Sequence, residues 1–446
     1  MLKTHTVYTV PEILNFYDKL WDDQNLTNVE NSELIEFLPT IKELSPNIYA
    51  KESLGLDPLW GMTYKIAKDT FNYIYRLKTK VYVVRINEGK LEDYILFSPK
   101  GSPKELEKFL KKTDPDLRIP NSKKKFIENY NWKFMGCILQ YKEDLLQDLT
   151  KHAYYKFMSS LDPDIYKYVK NGLYVLSTRD LCLVHKRGME PWVDVVGEER
   201  NDIGFIPKRF LPIFNTTGGE NYFDIPIPNF DDVAYTRSLS RDPEGPEDFR
   251  DLTTLWDSKK PTAVFRGSAT GCGYSPENND RLRLAKLAQD LNDKTVLDAG
   301  ITRGDPVREK YIFNRDTGLG FLKIGRYNLS VAERLTKKQQ SNYKYIIETE
   351  GNVSAHRVLT DMLMGSVLLM IDSEYTLWYS HLLKPYIHYI PIKKDLSNLI
   401  ETITWCRTHD DLCQAIAEKS LQFAKDLLKL EVLGNTMGNS MIALFK

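Results

Sequence analysis

Residues 343–371 read YKYIIETEGNVSAHRVLTDMLMGSVLLMI. Tyr345-Ile346-Ile347 is a short apolar run of strand length. Glu350-Gly351-Asn352 is turn chemistry, because glycine adopts positive φ without steric cost. Ser354 then falls where a helix N-cap belongs. Val358, Leu359, Met362 and Leu363 recur at helical spacing, and Gly365 stops that helix. Val367-Leu368-Leu369-Met370-Ile371 shows no alternation, the pattern of a strand covered on both faces. Outward from there, a second helix is expected through Tyr375 to Leu382 and a strand at Tyr389-Ile390, ending at Pro391. A third helix is capped by Asp395 or Ser397, with Leu396, Leu399, Ile400 and Ile403 on one face. Strands alternating with helices predict a parallel α/β sheet.

In such sheets ligands bind outside the carboxyl ends of the strands, beside helix N-termini. Glu350 through Arg357 occupies that place. Unpaired N–H groups at a helix start attract phosphate, and a guanidinium in the first turn would hold a diphosphate by paired, charge-assisted hydrogen bonds. Locally, Arg357 reads equally well as a solvated surface arginine and Gly351 as an ordinary turn.

The chain has 446 residues, enough for two or three domains. Its 42% hydrophobic and 27% charged content is that of a globular protein. With a net charge of zero there is no whole-molecule field to steer it to nucleic acid or to an acidic membrane. The first residues lack a long apolar stretch, and no run approaches a membrane span, so neither a secretory signal nor membrane insertion is expected. The five cysteines, Cys137, Cys182, Cys272, Cys406 and Cys413, form no CxxC pair and no zinc spacing. They read as reduced thiols in a cytoplasmic protein.

Taken in order, residues up to about Tyr75 look helical. Lys80–Ile86 and Tyr94–Phe97, joined through Asn87-Glu88-Gly89-Lys90, predict a β-hairpin. From Ser98 to Lys125 the chain is lysine-rich, the pattern of a solvated face or of a surface for phosphate or an acidic partner. Asp114–Asp116 and Asp162–Asp164 are Asp-Pro-Asp triplets, read as turns or as a divalent-ion site. Leu173–Leu176 is a strand candidate that runs into Ser177-Thr178-Arg179-Asp180. That placement suits Asp180 either to cap a loop or to take a proton from a hydroxyl. Arg237–Arg250 reads as a linker. Ala263-Val264-Phe265 is the next strand and enters the small-residue loop Arg266-Gly267-Ser268-Ala269-Thr270-Gly271. Backbone N–H groups of such a loop can approach phosphate. No Gly-Lys-Ser/Thr follows, which argues against an ATPase. Asn278-Asn279-Asp280 caps a helix bearing Leu282, Ala285, Leu287 and Leu291. Val296-Leu297 begins a strand that carries Asp298 at its end. Arg303–Ser341 is polar and weakly patterned, and reads as a mobile flap. Beyond Asp410 a long closing helix is expected.

Three segments stand together in this order: the strand end at Arg179-Asp180, Phe265-Arg266-Gly267-Ser268, and Tyr343 to Pro391. The last contains Glu350-Gly351-Asn352-Val353-Ser354-Ala355-His356-Arg357 and Leu383-Lys384-Pro385-Tyr386-Ile387-His388-Tyr389-Ile390-Pro391. The set resembles glycosyltransferase family 90, the capsule-associated-protein-like enzymes. That family includes protein O-glucosyltransferases and capsule xylosyltransferases, with cytosolic relatives in large DNA viruses and bacteria. The resemblance is strong from about Ala263 to Leu428 and weak before about residue 80.

The resemblance implies an α/β, GT-B type fold with two Rossmann-like domains facing a cleft. Residues 80–250 would form the acceptor side, 251–408 the UDP-sugar side and 409–446 the closing helices, after an additional helical region at 1–79. It implies an inverting, metal-independent transfer of glucose or xylose from UDP-glucose or UDP-xylose to a hydroxyl of a glycan or protein, with no cofactor. By position, Asp180 matches the catalytic base, and Arg266 and Arg357 match the arginines that hold the diphosphate. Gly267, Ser268, Ser354 and Ala355 lie in the phosphate loops, and Asp298 falls in the segment lining the uracil pocket. The alternative is a non-catalytic nucleotide-sugar-binding or scaffold protein that keeps the fold.

Overall fold

The computed structural model describes residues 81–87, 90–97, 172–177, 182–183, 213–219, 222, 224–239, 252–271, 273, 275–303, 306–314 and 318–443. The expected N-terminal helices, the lysine-rich stretch, both Asp-Pro-Asp triplets and Asp180 lie outside these residues. The described residues fall into two compact units, one running up to Ile227 and resuming at Gly434, the other running from Pro228 to Leu433.

The first unit is built on the hairpin of β1 (Val81–Asn87) and β2 (Lys90–Phe97), paired antiparallel as the turn chemistry predicts. Strand β3 (Gly172–Ser177) pairs antiparallel with β1, then β4 (Ile213–Asn215) and β5 (Ile225–Pro226) continue the sheet in parallel, in the order β2-β1-β3-β4-β5. Val81, Val84, Ile86, Tyr174, Leu176 and Phe214 are buried in it. Asp224 ties the parallel edge together. One of its carboxylate oxygens accepts from the Leu183 N–H and from Asn215 Nδ2, each at 2.8 Å.

The second unit opens with helix α1 (Phe230–Leu239). It then alternates β6 (Lys260–Gly267), α2 (Asp280–Leu291), β7 (Leu297–Ile301), the hairpin β8 (Val307–Asn314) and β9 (Gly318–Leu322), and α3 (Lys337–Gln340). After these come β10 (Tyr343–Glu348), α4 (Val358–Met362), β11 (Val367–Ile371), β12 (Ile390–Ile392), α5 (Leu399–Thr408) and α6 (Asp410–Leu427). The main sheet has the order β7-β6-β10-β11-β12, and every pairing in it is parallel. Parallel strands need crossover connections that cover the faces, so their side chains are buried on both sides. Ile346, Ile347, Val367, Leu368 and Leu369 accordingly expose 1% or less. The strand order reverses between β6 and β10, which leaves a crevice at their carboxyl ends.

At the opposite end of this sheet the buried Lys259 staples three strand starts. Its ammonium donates to the Ser341 and Met364 carbonyls at 2.6 and 2.9 Å and to Ser366 Oγ at 3.0 Å. Burial lowers its pKa to about 8, with Lys338 adding to the effect.

The structure departs from the local pattern in five places. Asp298 does not end its strand: it is the second residue of β7, which runs on to Ile301. Segment 375–382 is not a helix. It holds a 3-10 turn at Ser380–Leu382, and the aromatic and β-branched residues ahead of that turn are poor helix formers. Trp378 and Tyr379 are instead buried one by one. Ser354 does not cap α4, because that helix begins only after Arg357, which holds the N-cap position. The third helix starts after Asn398 rather than at Asp395 or Ser397. There the Asp395 carboxylate accepts the Ser397 N–H, and Leu396 sits at φ 64°, so the chain makes a turn first. Arg303–Ser341, expected as a mobile flap, carries the β8–β9 hairpin and a capping box in which Thr336 and Gln339 satisfy each other's backbone N–H.

Asp232, in the first turn of α1, braces this unit. Its Oδ2 accepts from Trp378 Nε1 at 2.8 Å and from the Asn229 N–H at 3.1 Å, while Oδ1 is buried without a hydrogen-bond partner. Burial pushes its carboxyl up to about 7, against the pull of the Trp378 and Asn229 hydrogen bonds. The folded protein therefore holds this proton where the unfolded chain has lost it. The stability contributed is fully present below the ordinary value of 3.8 and declines as pH rises to about 7. Asp232→Asn is expected to raise the melting temperature relative to the parent at pH 8, and that advantage is expected to shrink steadily as pH falls from about 7 toward about 4, as thermal denaturation across pH would show.

Candidate active site

The crevice is framed by two loops, one leaving β6 and one leaving β10. Phe265 and Arg266 lie near the end of β6, and because side chains alternate along a strand they leave it on opposite faces. Phe265 is buried, and two guanidiniums lie against its ring: Arg357 at 5.4 Å and Arg281 at 5.9 Å from the centroid. Gly267 follows, and a Cβ there would come within 2.8 Å of the same ring. The glycine is needed for the chain to pass over Phe265.

On the other face Arg266 meets Asp298, which pairs with Val264 across the β6–β7 register. Nη2 of Arg266 donates to both Asp298 carboxylate oxygens at 2.9 and 2.8 Å, and Nη1 donates to the Asp298 carbonyl at 2.7 Å and to the Phe265 carbonyl at 3.0 Å. Nε reaches the Glu333 carbonyl at 3.0 Å. Tyr343 donates its hydroxyl to Asp298 Oδ2 at 3.4 Å. The structure thus brings Arg266 and Asp298 together as an ion pair, with the whole guanidinium fork engaged.

Arg357 is held from below. Glu348, the last residue of β10, and Asp361, one turn into α4, both carry side chains that are 1% exposed. Arg357 Nε donates to Glu348 at 3.1 and 3.2 Å and lies 3.2 Å from Asp361 Oδ2. Lys337 closes the cluster with an ion pair to the other Asp361 oxygen. Burial works against the charge on Arg357, but the two carboxylates outweigh it and raise its pKa. Burial also pushes the Glu348 carboxyl well above the ordinary range, Arg357 opposing and Asp361 adding to the rise. Asp361 stays low despite burial because Lys337, Glu348 and Arg357 all favour its ionised form. Among the described residues, no hydrogen bond engages the two Nη groups of Arg357, so its outer edge can still take a bidentate anion.

Arg281, from the first turn of α2, ties the two loops to each other. Its Nε donates to the Glu350 carbonyl at 2.9 Å, and its Nη1 donates to the Ser268 carbonyl at 3.1 Å and to Thr270 Oγ1 at 2.8 Å. The Gly271 N–H donates to Asn352 Oδ1 at 3.1 Å, a second tie. Gly271 sits at φ 102°, and a Cβ there would lie 2.7 Å from the Gly351 carbonyl oxygen. Two glycine loops can approach this closely where larger residues cannot. Ser354 is buried and Ala355 half-buried in the β10–α4 loop, next to Arg357.

Of the residues singled out in the sequence, Arg266, Gly267, Ser268 and Asp298 therefore gather at the end of β6, with Ser354, Ala355 and Arg357 across from them after β10. Asp180 lies outside the described residues. Sequence reasoning missed Glu348, Asp361 and Arg281. Glu348 carries a signal in retrospect, as an acid ending an otherwise apolar buried strand. Arg281 carries none, because it reads as a solvated helix residue.

Comparison with known proteins places the chain in a family. The model of Glycosyl transferase family 90 matches residues 183–441, more than half of the chain. "Uncharacterized protein 179R" of Invertebrate iridescent virus 6 is 30% identical over 84% of this chain and 37% of its own length. Human "Protein O-glucosyltransferase 1" is 28% identical over 60% of this chain and 68% of its own length. The chain spans little more than a third of that viral relative. Among solved structures, Anabaena Alr3699/HepE in complex with UDP matches 67% of this chain and 76% of its own at 10% identity, with a TM-score of 0.31. With Arg266-Gly267-Ser268 and Ser354-Ala355-His356-Arg357 facing each other across the reversal of strand order, the chain belongs to glycosyl transferase family 90.

Proposed function

We propose that this chain is a UDP-sugar-dependent glycosyltransferase of the GT-B type, moving glucose or xylose to a hydroxyl of a glycan or protein acceptor with inversion and without a metal. The observation that carries the reading is the Arg357 site. A guanidinium held in place by two buried acidic side chains, with its outer edge open, sits at the carboxyl end of a parallel sheet where the strand order reverses. That position suits a diphosphate. The relative named a protein O-glucosyltransferase supports glucose as one donor.

In this reading the Asp180 carboxylate takes the proton of the acceptor hydroxyl. The acceptor oxygen then attacks the anomeric carbon from the face opposite UDP. The bond from that carbon to the β-phosphate oxygen breaks, and its electron pair leaves with UDP. Negative charge grows on the diphosphate, and fixed cations in a low-dielectric site offset it without needing to reorganise. Arg357 supplies its Nη groups. Arg266 contributes by trading part of its pairing with Asp298 for a phosphate oxygen, since all of its donors are otherwise in use.

Arg357→Ala is expected to weaken UDP binding, measured by titration calorimetry, by about 10- to 100-fold, the value of one or two charge-assisted hydrogen bonds. Asp180→Asn is expected to leave UDP affinity unchanged and to lower UDP release from UDP-glucose or UDP-xylose, measured with EDTA present, by ~100-fold or more. Parent protein that binds UDP but releases it no faster than Asp180→Asn would leave a non-catalytic nucleotide-sugar-binding protein. Parent protein that does not bind UDP would refute the reading.

A further inference from the structure

A cavity of about 410 Å³ opens in the second unit beside the two loops, over the carboxyl ends of β10, β11 and β12. None of the residues assigned above to the diphosphate lines it: Arg266, Gly267, Ser268, Ser354, Ala355 and Arg357 all lie elsewhere. Its volume is at the small end of ligand pockets, which run from about 300 to 1,000 Å³. The described residues lining it include Thr270, Glu350, Asp372, Ser373, Glu374 and Lys394, and no aliphatic or aromatic side chain is among them. Such a wall offers no aromatic face on which a base could stack and nothing to hold an apolar peptide side chain.

Its charges exclude other ligands. Lys394 Nζ lies 2.8 Å from Glu350 Oε1 and 3.0 Å from Asp280 Oδ2. Arg283 donates to Asp280 Oδ1 and to the carbonyls of Pro276, Glu277 and Lys394. Arg281 is occupied in tying the loops. The three cations thus have hydrogen-bond partners within the protein, and four carboxylates, Asp280, Glu350, Asp372 and Glu374, share the lining with them. A phosphate or carboxylate ligand would meet surplus negative charge. A divalent cation would have to displace the Lys394 ammonium from between its two carboxylates. What fits is a neutral group rich in hydroxyls. A hydroxyl both donates and accepts, so it can donate to a carboxylate while accepting from an ammonium or guanidinium N–H.

The framework is already set for such a ligand. Ser373 Oγ donates to Glu350 Oε2 at 2.7 Å while Lys394 holds the other oxygen, so the Glu350 carboxylate is fixed in orientation. Asp372 and Glu374 stand exposed at the mouth. We propose that this cavity is a sugar-binding site, in which Glu350, Asp372 and Lys394 recognise the hydroxyls of a single pyranose. The glycosyltransferase reading enters only in choosing the sugars to try. The cavity itself stands apart from the diphosphate residues.

The test is ligand-observed NMR by saturation transfer, on the full chain, with methyl β-glucoside, methyl β-xyloside, UDP, UDP-glucose and UDP-xylose as probes. Asp372→Asn removes an acceptor at the mouth, and Ser373→Tyr fills the cavity. Undiminished UDP binding shows that each variant is folded. If the pyranose is that of the donor, both variants weaken the UDP-sugar at least tenfold toward the affinity of UDP alone, and the UDP-sugar displaces the methyl glycoside. If it belongs to an acceptor glycan, the methyl glycoside still binds in the presence of saturating UDP-sugar, and both variants weaken that binding at least tenfold. Either result supports the site. Glycoside and UDP-sugar affinities unchanged in both variants, or no sugar binding by the parent protein, overturns it. A parent protein that binds the glycosides but not UDP would refute the nucleotide reading and leave this site standing.

Discussion

Strands β6 and β10 lie side by side, though a helix, three strands and a further short helix separate them in the chain, and the candidate site follows from that pairing. Parallel strands cannot be joined by a tight turn. Each must send its chain away over a face of the sheet and bring it back. Where the direction of that traffic reverses, the loops leaving two neighbouring strands diverge and open a crevice. The loop that follows Gly267 and the segment from Glu350 through Arg357 are those two. Their small residues let the backbones approach, and Arg281 fastens one to the other through the Glu350 and Ser268 carbonyl oxygens.

Electrostatics then separates the two arginines. Arg266 is fully paired, chiefly with Asp298, and meets a new anion only by exchange. Arg357 is held by Glu348 and Asp361 beneath it, and this arrangement fixes its position while its outer edge stays open. A charge buried without partners costs far more than one in water, so neither carboxylate can be lost without disturbing the guanidinium. The same logic recurs at Lys259, where one buried ammonium satisfies carbonyls at the far end of the sheet. One cation thus ties the strand starts, and another group of charges arms the strand ends.

Much of this was legible in the sequence, for a physical reason. Strands β6, β10 and β11 are buried on both faces, so they appear as unbroken apolar runs such as Val367–Ile371, which solvent-exposed strands cannot imitate. The glycines at 267 and 351 and the arginines at 266 and 357 mark the ends of those runs. What failed was local reading where distant contacts decide. Tyr375 to Leu382 has enough apolar residues for a helix, yet Trp378 is claimed by Asp232 and Tyr379 by the core. Ser354 has the right chemistry for a cap, but the loop stays irregular until Val358. Arg281 and Glu348 act on partners brought to them by the fold, and no spacing along the chain announces that. The cavity beside them joins residues from loops around four strands and was invisible for the same reason.

The most direct measurement is a crystal structure of the chain soaked with UDP. The account predicts the diphosphate between the Arg266–Ser268 loop and the Ser354–Arg357 segment, with the Nη groups of Arg357 on its oxygens and the Arg266–Asp298 pair partly opened. A diphosphate lodged in the Lys394 cavity, or bound with Arg357 untouched and still turned only to Glu348 and Asp361, would contradict it.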